Sequence, residues 1–216
     1  MQMYLQIILQ GILIGVTIAA PVGPIGILCI RRTLAEGRLA GFSSGLGAAT
    51  ADALYGAIAA FGLTFISVFL INQSFWLRLG GGLFLTFLGI KTLLSIPSQD
   101  ADLNSKPLRK DSLLNYYGST LFLTLTNPIT IISFAAIFTG FGIATNQSND
   151  NLAATSIILG IFLGSSIWWL SLIVITGFFR RMVNYKIMIW INRISGTIIV
   201  SFGLLALISI VLINPS

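Results

Sequence analysis

The sequence predicts an all-α, polytopic membrane protein: six transmembrane helices forming two inverted three-helix repeats, with helices 1 and 4 broken. Three observations predict it. Hydrophobic residues make up 56% of the chain and charged residues only 8%, against roughly 25% charged in soluble domains, so a water-facing surface cannot be covered. The apolar residues gather into runs long enough to cross a bilayer core, which takes about 20 residues. Finally, the runs of the second half repeat interruptions found in the first.

Six runs qualify as spans: 4–30, 40–70, 77–96, 112–142, 153–177 and 191–213. The first opens on "MQMYLQIILQ", without the basic start of a secretory signal, and is expected to be a retained span. The second carries one acid, Asp52. The third opens "RLGGGLFLTFLGIKTL"; its Gly80-Gly81-Gly82 lacks the Lys and Ser/Thr of a phosphate-binding loop and suits close packing. The polar stretch "SQDADLNSKPLRKD" at 98–111 then separates two halves. The chain reads as one transmembrane domain, 1–216, with repeat one at 1–96, a linker at 97–111 and repeat two at 112–213. The fourth span is interrupted at Asn127-Pro128, and "ATNQSNDN" at 144–151 is an exposed turn. The fifth brings Ser165, Ser166, Trp168 and Trp169 deep enough to line a cavity; the sixth opens "RISGTIIVSFGLLALI".

Six crossings put eleven of the twelve Lys and Arg residues on one side, with Arg78 alone on the other. The excess of positive charge marks the cytoplasmic side. Loops 31–39, 97–111 and 178–190 are therefore expected in the cytoplasm and both termini outside, in an inner (cytoplasmic) membrane.

The halves correspond in detail. Thr17-Ile-Ala-Ala-Pro21 matches Thr124-Leu-Thr-Asn-Pro128, and Arg78 and Arg193 are each followed by Gly three residues later (Gly81, Gly196). Three spans per half is an odd number, so the second half must run inverted. Inverted repeats with broken helices meeting at mid-membrane are the pattern of secondary transporters.

The breaks have a defined chemistry. Pro21 and Pro24 offer no N–H, so the carbonyls of Thr17 and Ala20 lose their helical partners. Gly23 and Gly26 let another group approach the backbone. Pro128 frees the carbonyl of Thr124 at the matching place. Pro21 lies ten residues from Arg31, about 15 Å along a helix, near the centre of a core about 30 Å thick. An unsatisfied peptide group there costs several kcal/mol, so a ligand, water or protein must complete it. The helix start at Pro24 favours an anion such as a carboxylate; the freed carbonyls favour a cation such as an ammonium.

Asp52 stands alone in its span, fourteen residues from Arg38. An acid at that depth marks a pathway or proton site by default. Gly41, Gly45, Ala48, Gly56 and Ala60 share its helix face, which is small enough for close packing. Asp52 is expected to face the bundle, to pair with a substrate amine or to carry a proton. A purely structural acid would instead bond Thr17, Ser44, Thr50 or Asn127.

Other classes find little support. The net charge of +6 sits at span ends, as membrane proteins carry it, so no nucleic-acid partner is expected. The single cysteine, Cys29, rules out a disulfide within the chain and suits a core position. A lone acid is a poor metal site, since hard cations want six or more oxygens. A lone acid also lacks the second carboxylate of a catalytic dyad, so no enzyme activity, cofactor or metal is expected. The expected partners are a small-molecule substrate and the lipid bilayer, with homo-oligomerisation left open.

At these residues the chain resembles the LysE family of small exporters, which includes lysine and homoserine/threonine efflux proteins. "PVGPIGILCIRRTLAEGRLAG", "GLGAATADALYGAIAAFG", "LGIKTL" and "TNP" carry the likeness, which extends over essentially the whole chain. It implies export of amino acids or related zwitterions from the cytoplasm, driven by the proton gradient or membrane potential. Carried over, the site positions are Pro21, Gly23, Pro24, Asp52, Asn127 and Pro128. The sequence departs from the family pattern at Ile25, where many members place Asn or Gln. The expected site thus comprises Thr17, Pro21, Gly23, Pro24, Ile25, Gly26, Asp52, Thr124, Asn127 and Pro128. A substrate carboxylate would meet the N–H groups of Gly23, Ile25 and Gly26, and its ammonium would meet Asp52 or the Thr17 carbonyl.

Overall fold

Proline decides where the first helix stops. In the computed structural model, which describes residues 2–21, 23–61, 73–96, 110–127, 130, 134 and 151–213, helix α1 (Gln2–Ala19) ends just before Pro21. Its last bond runs from the Ala20 N–H to the Val16 carbonyl, 2.9 Å. Helix α2 (Pro24–Glu36) restarts on Pro24, where a missing N–H is harmless because no intrahelical acceptor exists for it. The first predicted span is therefore two helices, and α2 continues beyond residue 30, carrying Arg31 and Arg32 within it.

That continuation corrects the expected loop at 31–39. Gly37, at φ +105°, is the whole connection to α3 (Arg38–Ala60). A side chain would strain that backbone conformation. The expected loop at 178–190 contracts in the same way. Helix α6 (Asn151–Phe179) passes through a 3-10 turn, Arg180–Met182, into α7 (Tyr185–Ile213). Asn184 caps α7, its side-chain oxygen accepting from the Ile187 N–H at 2.9 Å. Helices α4 (Ser74–Leu93) and α5 (Lys110–Leu125) complete the described elements, all helical. Most of the expected linker at 97–111 and of the turn at 144–151 lies outside the described residues.

Helices α1, α6 and α7 are each long and apolar enough to cross a membrane. Helix α3 is less apolar for a physical reason: it is buried among protein neighbours, with Ala40, Gly41, Gly45, Ala48 and Ala49 inside. Small residues let those neighbours approach.

Contacts at the glycines fix the direction of each helix pair. A Cβ on Gly11 would meet Ile157 and Gly160, and one on Gly15 would meet Ile161 and Ser165, so α1 and α6 run parallel. Helices α3 and α5 also run parallel: Ser43 donates to the Leu113 carbonyl (2.6 Å), Tyr117 to Thr50 (3.1 Å) and Tyr55 to the Leu125 carbonyl. Helices α3 and α6 run antiparallel, Gly45 lying on Trp169 and Gly56 on Ile161. So do α4 and α7, with Gly82 against Gly203 and Gly89 against Gly196.

Arg32 corrects a second expectation. It reads as a charge flanking a span, yet it is 5% exposed. One guanidinium nitrogen shares its two N–H groups among Ser44 Oγ (2.8 Å), Thr120 Oγ1 (2.8 Å) and the Tyr116 carbonyl (3.0 Å). The other donates to Ser119 Oγ at 2.8 Å, and the group lies 5.0 Å from the Tyr116 ring centroid. Among the described residues its hydrogen bonds all go to neutral oxygens, tying the α2–α3 hairpin to α5. Arg31 bonds Asn192 nearby (3.1 Å), which in turn donates to the Ser95 carbonyl (3.1 Å). Arg31, Arg32, Lys91 and Arg193 thus gather at one end of the bundle, and Arg78, which reaches Ser209, stands at the other.

Gly164→Val is expected to lower the melting temperature of detergent-solubilised protein, because its Cβ would meet the Ile12 backbone, which cannot give way. The penalty should be at least about 1–3 kcal/mol. Gly118→Ala, with nothing within 4 Å of its new Cβ, should leave melting unchanged or raised. Arg32→Lys keeps the charge but loses the fork, and each charge-assisted bond lost removes about 1.5–3 kcal/mol. Melting of Arg32→Lys close to wild type would show that the cage contributes nothing.

Candidate functional site

The two interruptions meet at one cavity. Helix α2 begins with Pro24, Ile25 and Gly26 buried, and no side chain caps it. Its first backbone bond is Ile27 N–H to the Gly23 carbonyl, 3.1 Å, so the N–H groups of Ile25 and Gly26 lie ahead of the first hydrogen-bonded turn. A buried helix start that no described side chain caps is unusual. In the other half, α5 stops at Leu125, and the Asn127 N–H turns back to the Thr124 carbonyl at 3.3 Å.

Between them lies a cavity of about 260 Å³. The first break contributes Pro21, Gly23, Pro24, Ile25 and Gly26; the second contributes Thr124, Asn127 and Thr130. Asp52 enters from α3, Trp169 from α6, Phe202 from α7, and Ile18 and Ala19 from the end of α1.

Asp52 is 3% exposed. Ser165 donates to its Oδ2 at 2.6 Å, and the Trp169 indole N–H donates to Ser165 Oγ at 3.1 Å. The small face of α3 makes this possible. With glycine at 45 and 56, α6 comes close enough for a serine hydroxyl to reach the acid. No Lys or Arg pairs with Asp52 among the described residues, and its Oδ1 receives no bond from them. Among the described residues, Ser165 thus answers one oxygen of the carboxylate, which lines the cavity.

Most of the residues expected from the sequence converge here. Thr17 does not: it is exposed, and its hydroxyl donates to the Leu13 carbonyl at 2.7 Å. Helical rotation turns Ile18 and Ala19, not Thr17, toward the cavity. Pro128 lies outside the described residues. The partner of Asp52 is also not one of the four expected of a structural acid. Ser44 is taken by Arg32, Thr50 donates to the Leu46 carbonyl, and Thr17 points away. Ser165 and Trp169 carried a sequence signal, a serine pair beside a deep tryptophan pair. Phe202 carried none, since a phenylalanine in an apolar run looks like any lipid-facing one.

Residues 16–210 match the LysE type translocator family. The chain is a member of the LysE type translocator family. It is accordingly an integral membrane protein and a transporter. The similar proteins include YcgF of Bacillus subtilis (strain 168), whose name assigns it provisionally to amino acid efflux. The two are 28% identical over 200 residues, covering 92% of this chain and 94% of YcgF. YrhP of the same organism, an uncharacterized membrane protein, is 29% identical over 82% of this chain and 87% of its own. YahN of Escherichia coli (strain K12), also an uncharacterized membrane protein, is 27% identical over 64% of this chain and 60% of its own. No solved structure matches this translocator.

In this LysE type translocator, removing the Ser165 hydroxyl would leave both a buried acid and the Trp169 N–H short of a partner. Ser165→Ala is expected to destabilise the protein by about 1–3 kcal/mol. In a double-mutant cycle read by thermal melting, that penalty should shrink in the Asp52→Asn background; additive effects would show that the two side chains are uncoupled.

Proposed function

We propose that this translocator exports amino acids or related small zwitterions from the cytoplasm by alternating access. One observation carries the reading: a buried, uncapped helix start and a half-partnered carboxylate open onto the same cavity. A helix N-terminus attracts negative charge and a carboxylate attracts an ammonium. An α-amino acid carries both groups a few atoms apart. Its carboxylate meets the Ile25 and Gly26 N–H groups, and its ammonium meets Asp52.

The transport route follows from two inverted halves, residues 1–96 and 112–213, joined by the linker at 97–111. The helix directions support this division. Exchanging the halves turns the α1–α6 pair into α5–α3, and both pairs are parallel. The α3–α6 and α4–α7 pairs exchange with themselves, and both are antiparallel. Rocking one half against the other would open the cavity to alternate sides. The end bearing Arg31, Arg32, Lys91 and Arg193 faces the cytoplasm of an inner membrane, which leaves both termini outside. Export is coupled to the proton gradient or the membrane potential, with Asp52 as the proton carrier in the first case.

Efflux and abundance measured together in cells expressing Asp52→Asn test this reading. Export is expected to fall at least tenfold at unchanged abundance. Wild-type efflux at wild-type abundance would remove the acid from the mechanism.

A further inference from the structure

We infer that the cavity selects a neutral amino acid with an apolar side chain and rejects basic and acidic ones. This rests on the zwitterion reading above and names its substrate class.

The first argument is charge. Among the described residues, the lining holds one carboxylate, Asp52, and no Lys or Arg. Opposite charge comes from the start of α2, worth about half a unit. These complement one ammonium and one carboxylate. A lysine substrate would bring a second ammonium into a space with no second acid among its described lining residues, and a glutamate substrate a second carboxylate with no cation among them. A buried charge without a partner is strongly disfavoured. The closest arginine in sequence to the α2 start that is also buried, Arg32, cannot answer an acidic side chain, because four oxygens from Ser44, Tyr116, Ser119 and Thr120 already surround it.

The second argument is the wall left over. Once the α2 start and Asp52 hold the backbone groups, the substrate side chain meets Ile18, Ala19, Trp169 and Phe202. The Trp169 N–H is committed to Ser165, so its ring presents only apolar surface. On the side of the second break, the Thr124 hydroxyl donates to the Thr120 carbonyl at 2.9 Å, the Asn127 N–H donates to the Thr124 carbonyl, and Thr130 also lines the cavity. A polar side chain placed against Ile18, Ala19, Trp169 and Phe202 would give up water and gain little in exchange.

The third argument is size. A volume of about 260 Å³ suits a single small solute such as one amino acid. It lies just below the usual range of ligand pockets, which begins near 300 Å³.

The test is self-exchange by the full chain in liposomes. Leucine, isoleucine, methionine, threonine, lysine and glutamate are each assayed as labelled solute outside against the same unlabelled solute inside. Leucine, isoleucine and methionine are expected to exchange, with threonine at least tenfold slower and lysine and glutamate at the rate of empty liposomes. Exchange of lysine, glutamate or threonine as fast as leucine would overturn the substrate class and leave amino-acid transport standing. No exchange of any amino acid by protein that remains monodisperse on gel filtration would overturn the zwitterion reading and this inference with it. Phe202→Ser supplies a second arm: the threonine-to-leucine rate ratio is expected to rise about tenfold, and an unchanged ratio would overturn the assignment of that wall to the substrate side chain.

Discussion

A peptide group in a medium without water must find a hydrogen-bond partner, and two prolines in the first span deny partners to the groups around them. Pro21 and Pro24 stop one helix and start another within a few residues. The chain accepts this only because the break is enclosed by protein. Helices α3, α5, α6 and α7 all send a side chain to the cavity beside it or border it directly. The carbonyl end of α1 and the amide start of α2 thereby become fixed partial charges facing a shared space, placed without any charged side chain. Asp52 adds the one full charge, and its neutral partners leave it available to a ligand.

The enclosure depends on close helix approach, and that depends on glycine and alanine. Where α1 meets α6, and where α4 meets α7, glycines face backbone atoms of the partner helix. On α3, Gly41, Gly45 and Gly56 admit Ile173, Trp169 and Ile161 of α6, which brings Ser165 to the acid. Leucine-sized residues on these faces would hold the helices apart, and neither the Ser165–Asp52 bond nor the cavity would form. Beyond the cavity, Arg32 binds the α2–α3 hairpin to α5 through hydroxyl and carbonyl oxygens. The hydrogen bonds of this cation to neutral dipoles fix the hairpin relative to the second half.

Much of this was legible in the sequence. Proline and glycine act on the backbone of their own residues, so the breaks at Pro21–Pro24 and near Asn127 could be located without knowing any neighbour. Small residues at helical spacing marked the buried face of α3, and an isolated acid on that face marked its chemistry. The gathering of basic residues at one end followed from counting crossings. These are local or additive properties, and the chain order carries them.

The tertiary structure decided which groups answer one another. Arg32 changed from a flanking charge to a buried cage because Ser44, Ser119 and Thr120, distant in sequence, converge on it. Thr17 left the site and Ile18 entered it through one residue of helical rotation. Ser165 became the partner of Asp52 in preference to Ser44 or Thr50. Phe202, indistinguishable in sequence from phenylalanines that face lipid, became a wall of the cavity. Periodicity tells which residues share a face of a helix, but only packing tells which helix that face meets. The sequence by itself therefore determined where the helices break and what charge lies between them, and the fold decided what surrounds that charge.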